Sequence, residues 1–362
     1  MIPGILSRHL AAAYLKAFFG ALSVLTLIFL VVEFVDRSRD YTGDGWHYWA
    51  ALLYANKALS VGYMLAPAAM LLACGVVVAT LRRRGEYTAI RALAIGPWKT
   101  LLPIALCGAL LCGALALAGE FIVGPAEIRV DAINATHFSR GGTWRQFYGE
   151  KTWLRGKRFF YHLRSGDPDL GFGEVTLYEI SPNDFRLRQR IDAERMESLG
   201  GHRWRLLNGA IRDFDGEGDA LTLTPFDERE IELTEPPDAF RIRKGYPEQM
   251  RFHELREQIA RRQNVGLDTK RYELALNNKF ASPLSGLPGL LLIFALTVRS
   301  SRRGRISATL AEAFFIIVLQ WGMLVVFKAV AFADLLSPAL SAWTPNLLLL
   351  GVSIAALRRY VR

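Results

Sequence analysis

The stretch LSVGYMLAPAAMLLACGVVVATL, residues 59–81, decides the architecture of this chain. Its 23 residues carry no charged side chain, and a helix needs roughly 20 apolar residues to cross the hydrocarbon core of a bilayer. Arg82, Arg83 and Arg84 follow directly. An apolar run of this length that ends in three arginines predicts a membrane helix whose last turn lies at the cytoplasmic surface.

Five further apolar segments, at residues 15–35, 101–123, 280–298, 306–330 and 340–357, have a similar composition. A mean hydropathy of +0.19 with 51% hydrophobic residues indicates apolar blocks joined to an ordinary polar domain. We therefore predict an α-helical membrane protein with six transmembrane helices. Residues 1–123 would hold helices 1–3, residues 124–271 a polar insert with a linker helix, and residues 272–362 helices 4–6.

Loop charges predict the orientation of these helices. With six spans, the basic connections after the second and fourth segments fall on the same side as both chain ends. The basic residues of these regions are Arg8, Lys16, Arg82, Arg83, Arg84, Arg91, Lys99, Arg299, Arg302, Arg303, Arg305, Arg358, Arg359 and Arg362. The positive-inside rule makes that side cytoplasmic. We expect a multi-pass membrane protein with cytoplasmic N- and C-termini and an insert that faces outward, which in a bacterium means the periplasm.

The insert has the pattern of β-strands. Around residues 185–194, charged and apolar side chains alternate with a period of two, which is typical of a half-buried strand. Similar runs occupy residues 153–163, 174–180, 203–214 and 220–233, and breaks rich in Gly, Asp and Ser separate them. Several short strands at this spacing predict an antiparallel sandwich or roll. Residues 247–263 after it have a charged, helical pattern.

Motifs for catalysis or for cofactor binding do not occur in the chain. It has no G-x-x-x-x-G-K-[ST] loop for a nucleotide and no G-x-S-x-G elbow, and its six histidines have no metal-ligand spacing. We therefore predict no catalytic residue, no metal site and no cofactor bound by this chain. Nucleic acid is excluded as a partner because the insert lies outside the cell and its acids nearly balance its bases.

The connection after residue 81 predicts a short helix at the cytoplasmic surface, at about residues 84–95. Glu86 lies near its N-terminus, where the helix dipole favours an acid. Tyr87, Ile90 and Arg91 follow at helical spacing, and Ile90 and Leu93 share a face. Such a helix could dock into a groove on a cytoplasmic partner. A plain amphipathic helix at the membrane interface is the alternative.

Several motifs together resemble the lipopolysaccharide export permeases of the LptF/LptG family, along essentially the whole chain. The stretch Glu86-Tyr87-Thr88-Ala89-Ile90-Arg91-Ala92 looks like the family's coupling helix. The other matching motifs are Phe34-Val35-Asp36, Gly119-Glu120-Phe121 with Pro125, Trp153, Phe160-Tyr161, Leu177-Tyr178, Ala193, Trp204-Arg205-Leu206, Arg271-Tyr272, Lys279 and Pro283-Leu284-Ser285. Phe34-Val35-Asp36 is more similar to the LptG version.

The chain departs from the family pattern at two positions. Ala94 stands where the family often has Gly, at the end of the coupling helix. Glu33 stands where LptG-like chains often have a Lys that is implied to meet lipid phosphates. Glu33 therefore puts that contact in doubt and weakens the choice between LptF and LptG, while Arg37 and Arg39 are candidates to compensate.

The resemblance implies a permease subunit of an ABC-type lipopolysaccharide exporter, which extracts lipopolysaccharide from the inner membrane and passes it to a periplasmic bridge. It implies a periplasmic antiparallel β-jellyroll in the insert and a homologous permease as partner, an F/G pair. It also implies a cytoplasmic LptB-like ATPase dimer that uses ATP and Mg, and jellyroll bridge proteins that are LptC-like and LptA-like. The chain itself would be a transport subunit and not an enzyme.

We expect three groups of functional residues on this basis. The residues for ATPase coupling are Glu86, Tyr87, Ile90 and Arg91; the candidates for lipopolysaccharide contact are Glu33, Asp36, Arg37 and Arg39; the candidates for gating or packing are Glu120, Pro283, Gly286 and Pro288. Pairing of Glu33 and Asp36 with the neighbouring arginines is favoured over a divalent cation. The alternatives are a mechanotransmitting ABC permease, a membrane-anchored periplasmic sensor or scaffold, and a membrane-bound periplasmic enzyme.

Overall fold

The structure, a computed structural model, describes residues 4–41, 45–138, 152–155, 158–163, 166–167, 171–181, 186–214, 220–234, 246–264, 268–299 and 306–360. The chain divides into two compact units. The helical unit comprises Met1–Ser139, Pro247–Phe252 and Glu273–Arg362, and the sheet unit comprises Arg140–Tyr246 and His253–Tyr272.

Ten α-helices lie in the described residues. They are α1 Gly4–Arg37, α2 Trp46–Arg83, α3 Glu86–Ala92, α4 Pro97–Ala118, α5 Gly124–His137, α6 Phe252–Asn264, α7 Lys270–Leu284, α8 Gly286–Arg299, α9 Ile306–Phe332 and α10 Pro338–Tyr360. A π-helical turn, Gly119–Val123, joins α4 to α5 without a break. Short 3₁₀ turns occupy Ser38–Asp40 and Pro247–Gln249.

Within the described residues, six helical segments are long and apolar enough to cross a membrane, as the sequence predicts. They are Gly4–Asp40, Trp46–Arg83, Pro97–Asn134, Lys270–Arg299, Ile306–Phe332 and Pro338–Tyr360. Helices α2 and α8 are largely buried against their neighbours, where alanines and Cys74 allow close packing. Apolar side chains of α1 and α9 are exposed, and an apolar exposed face is what lipid or a neighbouring membrane helix would cover.

Two of these segments extend beyond the predicted apolar runs. Helix α1 begins at Gly4, because Leu10, Tyr14 and Phe18 recur every fourth residue and bury one stripe against the helical core. The third segment continues past Val123 to His137. Polar side chains along α5 do not interrupt its backbone hydrogen bonds. The drop in hydropathy after Val123 therefore shows where the apolar segment ends, while the helix itself continues to His137.

The described strands of the sheet unit form an antiparallel sheet. Its strands are β1 Thr152–Arg155, β2 Phe159–Leu163, β3 Gly166–Asp167, β4 Gly171–Ile180, β5 Leu187–Gly200, β6 Arg203–Phe214 and β7 Ala220–Glu232. The order is β1-β2-β4-β5-β6-β7, with β3 paired to β4. Expectation and structure differ at residues 153–163, which form the hairpin β1–β2 and not one strand. Strand order that follows chain order is a meander, which short turns can build.

One face of this sheet forms an apolar core. The buried side chains include Phe159, Tyr161, Leu177, Trp204 and Leu206. The opposite face carries charged side chains, such as Arg190 and Asp192 of β5, which contact each other at 2.8 Å. The hydrogen bond from this guanidinium to Asp192 raises the pKa of Arg190 and keeps it charged. This separation of faces is what the alternating pattern predicts.

A transverse row across β4, β5, β6 and β7 interrupts that alternation. The row consists of Glu174, Glu194, Asn208 and Asp227, where the cross-strand register skips one position on each strand. Glu174 and Asn208 have positive φ angles of 46° and 49°, and Asn208 Nδ2 donates to Glu194 Oε2 at 3.1 Å. In β4, β5 and β6 the buried positions are even-numbered on one side of the row and odd-numbered on the other.

Candidate functional site

The helix predicted at about residues 84–95 is observed as the shorter α3, Glu86–Ala92. Gly85, with φ of 78°, turns the chain between α2 and α3, a left-handed conformation that glycine adopts without strain. The Glu86 carboxylate lies 3.8 Å from Arg84 and 4.0 Å from the His9 imidazole, and 40% of its side chain is exposed. Contacts this long and this open to solvent leave Glu86 available to another protein.

Only part of α3 is anchored to the helical unit. Ile90 is buried, and Tyr87 packs against the core formed by the membrane helices. Burial raises the pKa of Tyr87, while the positive charges of Arg91 and Arg82 lower it in part. Arg91 and Leu93 are exposed, and Leu93 is 74% exposed. Ile90 and Tyr87 are therefore held by the chain itself, while Glu86, Arg91 and Leu93 are open to solvent; Leu93, which follows the last residue of α3, does not share the burial of Ile90 that the sequence pattern predicted.

The backbone conformation at Ala94 is one that glycine adopts more easily than alanine. The N–H of Ile95 donates to the carbonyl of Ile90 at 3.3 Å, and the N–H of Ala94 donates to that of Arg91 at 3.0 Å. These two bonds form a Schellman motif, whose turning residue is left-handed and usually Gly. Ala94 has φ of 56°, so its Cβ is strained where glycine would not be.

The candidate lipid contacts lie where α1 ends. The Glu33 carboxylate pairs with Arg37 at 3.2 Å, and it also pairs with Lys57 of α2. Asp36 and Arg39 are exposed. Two cationic side chains therefore engage Glu33. The pair with Arg37 is of the kind expected from the sequence in preference to a divalent cation. Sequence reasoning missed Lys57, although a lysine close to the apolar run of residues 59–81 was a visible signal.

An aromatic cluster surrounds this end of α1. The Tyr41 and Tyr54 hydroxyls lie 2.8 Å apart, and the ring of Phe34 lies 5.8 Å from that of Tyr41 and 5.6 Å from that of Tyr54. Trp49 stacks on His137 with 3.6 Å between ring centroids. Aromatic rings of this kind are typical of the membrane–water interface.

The gating candidates lie on either side of the break between α7 and α8, Pro283 at the end of α7 and Gly286 and Pro288 at the start of α8. A Cβ on Gly286 would lie 2.7 Å from Met70 Sδ and 3.2 Å from the Pro67 Cα, so α2 packs closely against this glycine and a larger residue would require Met70 to move. Carbonyls near the break are capped by side chains. Gln320 donates to Ser285 at 2.8 Å, Asn346 donates to Ala281 at 2.7 Å and Ser353 donates to Pro288 at 2.7 Å. In a membrane such donors are required, because water is not available to freed carbonyls.

Glu120, the fourth candidate in that group, lies in the π-helical turn. Its Oε1 accepts the backbone N–H of Phe252 at 2.9 Å, and its Oε2 lies 3.4 Å from Lys279 Nζ. The same Lys279 Nζ is 3.5 Å from the carbonyl oxygen of Gly119. The carboxylate is thus partly buried and fully engaged. Within the described ranges, no group of three or more His, Cys, Asp or Glu side chains could hold a metal ion.

Six apolar helices, a surface helix with one free face and an antiparallel sheet define a multi-pass membrane protein with a separate polar unit. A family model described as "Lipopolysaccharide export system permease LptF/LptG" matches residues 8–359. The chain therefore belongs to this family of transport permeases. A comparison with curated proteins found no match.

Proposed function

We propose that the chain is one permease subunit of an ABC-type exporter, which extracts lipopolysaccharide from the inner membrane and passes it to a periplasmic bridge. The observation that carries this proposal is α3. It is anchored through Ile90 and presents Glu86, Arg91 and Leu93 outward, directly after the arginine-rich end of α2. A short helix fixed on one side and open on the other suits docking to a cytoplasmic ATPase.

The energy for transport would come from that partner. Glu86 and Arg91 offer charges of opposite sign for ion pairs, and Tyr87 would hold α3 against the membrane helices. ATP and Mg would be used by an LptB-like dimer, since this chain has no phosphate-binding loop. A homologous permease would complete the pair, and the exposed apolar faces of α1 and α9 are suited to it.

The lipid would bind where α1 ends. Its phosphates need cations near the membrane surface, and Arg37 and Arg39 would supply them. Glu33 and Asp36 would set how strongly those arginines are neutralised before the lipid arrives. The acyl chains would lie along the exposed apolar side chains of α1, such as Val32. Pro283, Gly286 and Pro288 would act by close packing, with the capped carbonyls of the break resisting flexion.

The sheet unit would receive the acyl chains on its apolar face. A sheet with one apolar face can shield an acyl chain from water when it curls into a jellyroll. This unit would lie in the periplasm and pass lipid to LptC-like and LptA-like jellyroll proteins. The motif Phe34-Val35-Asp36 favours the LptG type of subunit.

Purification of the tagged full-length chain in mild detergent tests the proposal. We expect an ATPase subunit and a second permease to co-purify. In vesicles of phosphatidylethanolamine and phosphatidylglycerol that contain lipopolysaccharide, this complex should release lipopolysaccharide to a jellyroll acceptor only with ATP. Co-purification of the ATPase without ATP-dependent lipopolysaccharide release would favour a mechanotransmitting permease. Absence of an ATPase would favour a sensor or scaffold.

A further inference from the structure

The chain crosses between its two units four times, at residues 139/140, 246/247, 252/253 and 272/273. The described elements of the helical unit at or next to these crossings are α5, the segment Pro247–Phe252 and α7. Any movement of the membrane helices can therefore reach the sheet unit along the backbone only through these three elements. What fastens them to each other inside the helical unit determines whether they move together.

Three contacts fasten the segment Pro247–Phe252 to the third membrane segment. Glu120 accepts the N–H of Phe252, and Asp131 accepts a hydrogen bond from Gln249 Nε2 at 2.7 Å. A Cβ on Gly124 would lie 2.6 Å from the Gln249 carbonyl oxygen, so the backbones touch where no side chain fits. The segment is therefore held along its length and not at one point.

Glu120 also contacts α7, the third of these elements. Its second carboxylate oxygen pairs with Lys279 of α7, and both side chains are mostly buried, with 22% and 12% exposed. Opposite charges attract more strongly where water is excluded, and removal of one of them leaves the other without its counter-charge. The rings of Phe252 and Phe280 meet edge to face at 5.6 Å beside it. One carboxylate thus holds α4–α5, the returning segment and α7 together.

The π-helical turn supplies the geometry for this contact. A π turn leaves a carbonyl without its usual helical partner, and such turns occur often at functional sites. Here the Lys279 ammonium group lies 3.5 Å from the carbonyl of Gly119, so the cation that pairs with Glu120 also caps the turn. A Cβ on Gly119 would lie 2.9 Å from the Tyr63 hydroxyl oxygen, which fixes the turn against α2.

We propose that Glu120 and Lys279 are positioning residues for lipid transfer: they form a joint that makes the membrane helices and all four crossings to the sheet unit move as one body. The joint transmits movement started at the ATPase, and it contacts neither lipid nor nucleotide. The proposal rests on the proposed transport function, and it adds the residues through which the two units are coupled.

Hydrogen exchange of the wild-type complex and its variants tests the joint. Glu120→Ala should speed exchange of the amides around residue 252 at least tenfold, while Glu120→Gln, which keeps a carbonyl acceptor for Phe252, should stay within about threefold. Because Glu120→Ala removes the carboxylate that pairs with the mostly buried Lys279, the double variant Glu120→Ala/Lys279→Met is measured as well and should match the tenfold change. Glu312→Gln and Lys328→Met are matched controls on α9. Unchanged exchange in the double variant would overturn the joint.

Coupling is measured as lipopolysaccharide transferred per ATP hydrolysed. Glu120→Ala should lower this ratio at least tenfold while the ATPase rate stays within twofold, and Glu120→Gln should restore part of it. If Glu120 had only a structural role, its loss would lower the rate of lipopolysaccharide transfer and the rate of ATP hydrolysis together. That result would count against the proposal. An unchanged ratio would overturn it.

The wild-type complex separates failure of the joint from failure of the transport function. Trapping the ATPase with vanadate should change exchange in residues 247–252 at least threefold in the wild type and not in Glu120→Ala. If lipopolysaccharide is not transferred but this nucleotide-dependent change appears, the transport function fails and the joint stands. If the wild type shows no such change, the joint is wrong.

Discussion

Reversal of the charge at Glu86 should abolish assembly with the ATPase while leaving the fold intact. Its carboxylate contacts Arg84 at 3.8 Å and His9 at 4.0 Å, and the side chain is 40% exposed. Exposed pairs of this kind contribute about 0–1 kcal/mol, and an acid in the first helical turn contributes about 0.3–1 kcal/mol. Glu86→Arg should therefore lower the free energy of unfolding by no more than roughly 2 kcal/mol.

The effect on binding should be larger. A charge that becomes buried in an interface and loses its partner weakens association by about 2–5 kcal/mol. At 1.4 kcal/mol per tenfold, this corresponds to a loss of roughly 30-fold to several thousandfold in affinity. Because only the bound state buries Glu86, the same substitution is mild for the free chain and severe for the complex.

The assay compares the amount of ATPase that co-purifies with tagged wild-type and variant chains. Glu257→Arg on α6 is the matched control, since it makes the same change in net charge on an exposed residue of the sheet unit. We expect wild-type levels for the control and at least a thirtyfold loss for Glu86→Arg. Normal assembly and normal transport in Glu86→Arg would refute the coupling role of α3. Loss of thermal stability in parallel with assembly would refute the separation of the two effects.

Four further predictions concern stability and ionisation. Trp204→Ala removes a fully buried side chain and should destabilise the sheet unit by about 3–5 kcal/mol, seen as a lower urea midpoint. Gln320→Leu leaves the carbonyl of Ser285 without its donor and should lower the thermal midpoint, at a loss of about 1–3 kcal/mol. Ala94→Gly relieves a left-handed alanine and should slow amide exchange in α3, by about 1 kcal/mol of stability. Burial raises the pKa of Tyr87 above its ordinary 10.0, so the folded chain binds the phenol proton more tightly than the unfolded chain does. The resulting contribution to folding stability is present below pH 10.0 and is lost as pH rises through the folded-state pKa. A spectrophotometric titration of the wild type against Tyr87→Phe should detect the raised pKa.

The membrane architecture and the pattern of strands could be predicted from the sequence, because both depend on local composition. Six apolar runs were found as helices, and residues 203–214 form β6 over the predicted range. The surface helix after residue 81 was also predictable, since a glycine, an acid and helical spacing follow three arginines. The predicted ends of helices were less accurate, as at Gly4 and His137. A helix can continue past the apolar run that predicts it, because its backbone hydrogen bonds do not depend on the hydropathy of its side chains.

Composition, apolar run length, loop charge and period-two alternation by themselves determined a six-span chain with a β-rich insert. The tertiary structure alone decided which distant residues meet. Glu120 and Phe252 lie 132 positions apart, and Glu33 and Lys57 lie 24 apart. Pairings at such distances depend on how helices pack, which no local pattern encodes. The row through Glu174 and Asn208 is a further example. The switch of buried positions from even to odd residue numbers at this row can be recognised only when the neighbouring strands are paired.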